Sequence, residues 1–117
     1  MAVIVKTDKP RTLLAAIKRA IDSSDIETWS YDAEGDFTHT AEQWKRRAWL
    51  RPSIREQGLV FRIVPPRKRR ITRVVYGVYH GRFIEMLLNH FDSKFTEASA
   101  TAMPSRGDRI IGEDSGD

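Results

Sequence analysis

The stretch 47-RAWLRPSIREQGLVFRIV-64 decides how this chain folds. Two runs rich in β-branched and aromatic residues, "RAWLRPSI" and "GLVFRIV", flank the polar "REQG", which is the pattern of a β-hairpin. Gly58 is expected to supply the positive φ that hairpin connections favour, and Pro52 suggests an edge or a bulge in the first strand.

Working outward, each flank of this hairpin carries a helical pattern. On the N-terminal side, Leu13, Leu14, Ile17 and Ile21 recur at helical spacing after Pro10, which suits a first helical turn. This predicts a helix over Pro10–Asp22 with Asp8 or Lys9 near its cap. On the C-terminal side, Phe83, Ile84, Leu87, Leu88 and Phe91 trace an apolar stripe that predicts a second helix from about Tyr79 to His90. "AVIVK" before the first helix and "KFTEASATA" after the second read as strands. "IETWSYD", closed by the turn-rich "DAEGD", reads as a further strand in a second hairpin, with "FTHTAEQW" a short strand or loop.

The order β, α, several β, α, β is that of an α+β sandwich of ferredoxin-like (split βαβ) type. Such a domain has a mainly antiparallel sheet with two helices on one face, and here an extra hairpin between the helices. With 117 residues, 40% apolar content and eleven aromatic side chains, the chain suits a single compact domain over residues 1–103. The Gly- and Ser-containing "PSRGDRIIGEDSGD", residues 104–117, is expected to be a flexible tail.

No apolar run approaches a membrane span or a signal-peptide core, and there is no cysteine, which excludes disulfides and thiolate metal sites. A cytoplasmic chain with no membrane partner and no cofactor is the expectation. The charges are segregated. From Asp22 to Glu42 there are seven acids and no Lys or Arg, whereas Trp44–Arg73 holds eleven bases and one acid, Glu56.

The candidate binding residues are Lys45, Arg46, Arg47, Arg51, Arg62, Arg67, Lys68, Arg69, Arg70 and Arg73, with Arg55 in the same segment and Trp44, Trp49 and Phe61 interleaved. Clustered cations suit a repeating anion, and aromatic faces suit unstacked bases, so nucleic acid or another polyanion is the expected partner. The competing account is a solvated surface, or one paired with the acids upstream, and a membrane-surface role is the third. Rival functions are a small metal-dependent nuclease using Asp8 with a second carboxylate, although Asp8 also suits the cap of the first helix, and a homo-oligomeric protein-interaction module whose acidic and basic faces pair between subunits. Asp36 and His39 are three apart, and the three histidines show no metal spacing. Gly77 and Gly81 share one helix face, suited either to tight packing on the sheet or to a homodimer contact. Nothing in the chain marks it as an enzyme.

Overall fold

The computed structural model describes residues 2–103 and 110–111. The chain runs β1 (Ala2–Lys6), α1 (Pro10–Asp22), β2 (Trp29–Tyr31), β3 (Phe37–His39), β4 (Trp49–Arg55), β5 (Gly58–Val64), β6 (Ile71–Thr72), α2 (Arg73–Phe91), a 3-10 turn (Asp92–Lys94), β7 (Glu97–Ala100) and β8 (Ile110–Ile111). Six strands form one antiparallel sheet in the order β2-β3-β4-β5-β1-β7, and β6 pairs in parallel with β8. Apart from Ile110–Ile111, the expected flexible tail lies outside the described residues.

The deciding stretch is the hairpin expected of it. β4 and β5 pair from Trp49↔Val64 to Arg55↔Gly58 around a two-residue turn, Glu56–Gln57. The role of Gly58 differs from expectation. Its φ is not among the positive ones. Instead, a Cβ built there would sit 1.9 Å from the carbonyl oxygen of Val5, because β1 passes directly over this position. Glycine is required for backbone approach between strands rather than for the turn. Gly58→Ala is therefore expected to destabilise the fold by about 1–3 kcal/mol, the usual range for overpacking. Urea midpoints for the variant and wild type check it, and an unchanged midpoint would contradict this register. Pro52 is accommodated because β3 pairs with β4 only at Phe37↔Leu50, leaving the Pro52 part of the strand without a partner on that side.

Alternation along the strands sorts the sheet into two faces. Val3, Val5, Leu50, Leu59, Phe61, Ile63 and Phe37 are buried, and they share one core cluster with Leu13 and Ile17 of α1 and with Tyr79, Phe83 and Leu87 of α2. Both helices thus lie on one face. The centre of the core is aromatic, with the Phe83 ring 4.6 Å from Phe61 and 5.0 Å from Trp29, centroid to centroid. Phe61 is fully buried there. Trp49 belongs to the opposite face with Arg51, Arg62 and Val60, and is half-buried.

α1 begins at Pro10 with Lys9 at its cap position, as the sequence predicts, whereas α2 begins earlier than expected. No side chain caps α1. The Thr7 hydroxyl, not Asp8, accepts the Lys9 N–H at 3.2 Å while donating to the Lys94 carbonyl at 2.9 Å. α2 starts at Arg73, six residues before the expected Tyr79, where the Thr72 hydroxyl accepts the Val75 N–H at 3.1 Å. Its buried side runs Val75, Tyr79, Phe83 and Leu87 at four-residue steps, so tertiary packing carries the helix through two glycines that disfavour it. Those glycines are not packed on the sheet. Among the described residues, a Cβ at Gly77 or Gly81 would meet nothing within 4 Å, so no described element packs on that face of α2.

Candidate nucleic-acid interface

Antiparallel pairing determines where the basic residues go. Because Trp49 is opposite Val64, the turn that precedes β4 and the loop that follows β5 leave the same end of the sheet. Lys45, Arg46 and Arg47 lie in the first, and Arg67, Lys68, Arg69 and Arg70 in the second; Arg73 opens α2 just beyond. All of these residues are exposed. One step inward, Arg51 and Arg62 are direct cross-strand partners on the face opposite the helices. Arg55, opposite Gly58, is at the far end of the same hairpin and outside this group.

The first turn is held by a polar knot. The Thr38 hydroxyl accepts the Arg46 N–H at 3.2 Å and donates to the Ala48 carbonyl at 2.9 Å, and the Tyr79 hydroxyl of α2 donates to the Trp44 carbonyl. Arg46 takes φ 57° there, and Lys68 takes φ 61° in the second loop, where the Arg69 N–H bonds the Pro66 carbonyl at 3.2 Å. Left-handed backbone is easiest for glycine and unfavourable for long side chains. Both bends nonetheless carry cations. Beside the first turn, Trp49, Tyr31, Thr38, Lys45 and Arg46 border a groove of about 460 Å³.

Two of the upstream acids pair with this segment. Asp36, 4% exposed, takes Arg51 in a two-pronged contact, with Nη2 to Oδ2 at 2.8 Å and Nε to Oδ1 at 3.1 Å. The hydrogen bonds to Asp36 and its negative charge hold the Arg51 guanidinium still more firmly protonated than usual. This pair also offsets the repulsion of two arginines set opposite each other. Glu42 meets Lys45 at 2.8 Å. Among the described residues, Arg46, Arg47, Arg67, Lys68, Arg69, Arg70 and Arg73 make no salt bridge. Pairing between the acidic and basic segments therefore reaches two of the cations in question and leaves the second loop untouched.

No family model matches this sequence, and neither a curated protein nor a solved structure does.

The residues considered for metal chemistry are dispersed. Asp8 lines a cleft at the opposite end of the sheet with Glu56, Lys6, Lys9 and Lys94, and no group of three or more metal-type ligands occurs among the described residues. Asp36 is committed to Arg51. His80, expected at the start of its helix, is instead buried in mid-helix, with Nδ1 2.8 Å from the Tyr76 carbonyl. His90 is in the last turn of α2.

His39 is the residue that sequence reasoning undervalued. It packs against Trp29 at 5.0 Å between centroids, and its Nδ1 accepts the Ala41 N–H at 3.0 Å. Burial, reinforced by the Arg82 charge and opposed by Glu85, lowers its pKa, so the neutral ring is favoured. Folding stability attached to His39 is accordingly fully present above about pH 6.5, the usual value in an unfolded chain, and is lost as pH falls through it, because the unfolded state takes up the proton first. His39→Gln is expected to flatten this part of the stability profile. Denaturation midpoints at pH 7.5, 6.5 and 5.5 check it, and equal slopes in both proteins would refute it.

Proposed function

We propose that this domain binds nucleic acid without acting on it chemically, through the basic end of its sheet. Lys45, Arg46, Arg47, Arg67, Lys68, Arg69, Arg70 and Arg73 contact backbone phosphates, and Arg62 and the Asp36-anchored Arg51 extend the track along the open face beside Trp49. The observation that carries this reading is the convergence of two separate basic loops at one end of the sheet, most of their cations having no acidic partner among the described residues. Cations held in unfavourable backbone conformations at Arg46 and Lys68 add to it, since strain of this kind collects where a side chain has work to do. The start of α2 at the same end adds the positive pole of a helix dipole.

For the architecture, we read the order β7-β1-β5-β4 as two interleaved βαβ units of the ferredoxin-like kind, with β2 and β3 as the added hairpin. The all-antiparallel pairing supports this, since each helix then connects two strands separated by one antiparallel neighbour.

An amide-shift titration with single-stranded DNA and RNA in turn tests the binding reading. Perturbations are expected at residues 44–51, 62 and 67–73, weakening as salt rises. No salt-sensitive shifts in those segments with either polymer would reject it.

A further inference from the structure

Below the 40–48 turn, between the β2–β3 hairpin and the second half of α2, is a cavity of about 310 Å³, at the small end of the roughly 300–1,000 Å³ of ligand pockets. Trp29 and His39 come to it from the hairpin, Trp44 from the turn, and Arg82, Glu85 and Asn89 from one side of α2. His39 is 6% exposed. Since the Ala41 N–H occupies Nδ1, the proton of the neutral ring is on Nε2, and no acceptor for it occurs among the described residues. This N–H is not sealed from solvent: it reaches the cavity, where an acceptor on a bound partner can take the place of water.

The surroundings define what that partner is. Arg82 and Glu85 pair with each other at 3.2 Å, so the wall is close to electrically balanced and suits a neutral guest better than an ion. The half-exposed indole of Trp44 offers a flat face, the Asn89 carboxamide both donates and accepts, and Nε2–H donates. A flat, neutral ring with donors and acceptors around its edge satisfies all of these groups together. We propose that the cavity holds one unstacked nucleobase, which takes the Nε2 proton of His39 on a ring nitrogen or carbonyl oxygen and stacks on Trp44. This rests on the nucleic-acid reading above and narrows it to a single strand. The turn that carries Trp44 also carries Lys45, Arg46 and Arg47, so base and phosphates come from neighbouring nucleotides.

Neutral nucleosides separate this site from phosphate binding. Adenosine, guanosine, cytidine and uridine are titrated into the isotope-labelled protein, following the amides of Ala41, Gln43 and Asn89 and the Trp44 indole. The expected result is saturable shifts at these groups with at least one nucleoside, insensitive to salt and retained when Arg67, Lys68, Arg69 and Arg70 are all Ser. Asn89→Leu, on the helix surface, should weaken that affinity at least about fivefold, as loss of a hydrogen bond does. His39→Phe should do the same where it folds. Absence of saturable shifts at the cavity for all four nucleosides, or shifts unchanged in Asn89→Leu, overturns the proposal. Oligonucleotide binding with steep salt dependence but no nucleoside binding would remove the cavity site and leave the phosphate reading standing. The reverse pattern would remove the phosphate reading and leave the cavity.

Discussion

Replacing Arg67, Lys68, Arg69 and Arg70 together by Ser is expected to flatten the dependence of log affinity on log salt by roughly three units. Each phosphate contact releases about one counterion and contributes roughly −0.7 to −0.9 to that slope, so four contacts account for the change. Between 50 and 200 mM salt, a slope difference of three corresponds to roughly a 60-fold difference in how far affinity falls. Thermal stability should hardly move, because exposed charges contribute only about 0–1 kcal/mol each and these four make no salt bridge among the described residues. A surface paired with Asp22–Glu42 behaves in the opposite way. Loss of the bases would then cost stability at low salt, and the loss would shrink as salt screens the pairs. Binding measured by anisotropy across a salt series, with melting curves at the same concentrations, distinguishes the two. An unchanged slope with a salt-sensitive stability loss would leave the loop as an internal clasp and remove the proposed function.

The second large effect is on folding. Phe83→Ala should destabilise the domain by about 3–5 kcal/mol, a large part of the roughly 5–15 kcal/mol typical of whole domains. The ring is fully buried and meets Phe61, Trp29 and Phe37 at centroid distances of 4.6, 5.0 and 5.8 Å, so its removal opens a hole that three rigid aromatic neighbours cannot close. Leu88→Ala on the same helix provides the control. Leu88 is 54% exposed, and its loss should stay within about 0.5 kcal/mol. Urea denaturation of both variants, analysed with a common m-value, makes the comparison. Equal losses would mean that α2 is rotated from the orientation described.

The same pair of residues shows how far the sequence can be read. Phe83 and Leu88 both belong to the apolar stripe that predicts the second helix, and nothing local separates them. One is at the centre of the core and the other faces out, because the stripe is wider than the sheet surface it covers. Gly58 is similar. Its place in a hairpin is plain from the flanking runs, while the reason it must be glycine is a carbonyl of β1, more than fifty residues away in sequence. The turn between β2 and β3 was more legible, since it is closed locally, although the strand after it read as either a short strand or a loop. Asp32 Oδ1 accepts the N–H groups of Glu34 and Asp36, both at 3.0 Å, and Gly35 takes φ 84°.

By itself the sequence determined the α+β class, both helices, the β4–β5 hairpin and the separation of acidic from basic segments, because periodicity and turn chemistry act over a few residues. Tertiary structure alone decided that Asp36 is buried against Arg51, that no described element packs on the Gly77–Gly81 face, that α2 extends back to Arg73, and that His39 borders a cavity with Arg82 and Asn89. Local pattern states which side of an element is apolar, but the partner of that side is chosen by strand register and by the volume left between packed layers. Convergence of the 44–47 and 67–70 cations is the clearest case. Two loops twenty residues apart become neighbours because seven backbone pairs align β4 with β5, and no property of either loop alone specifies that meeting.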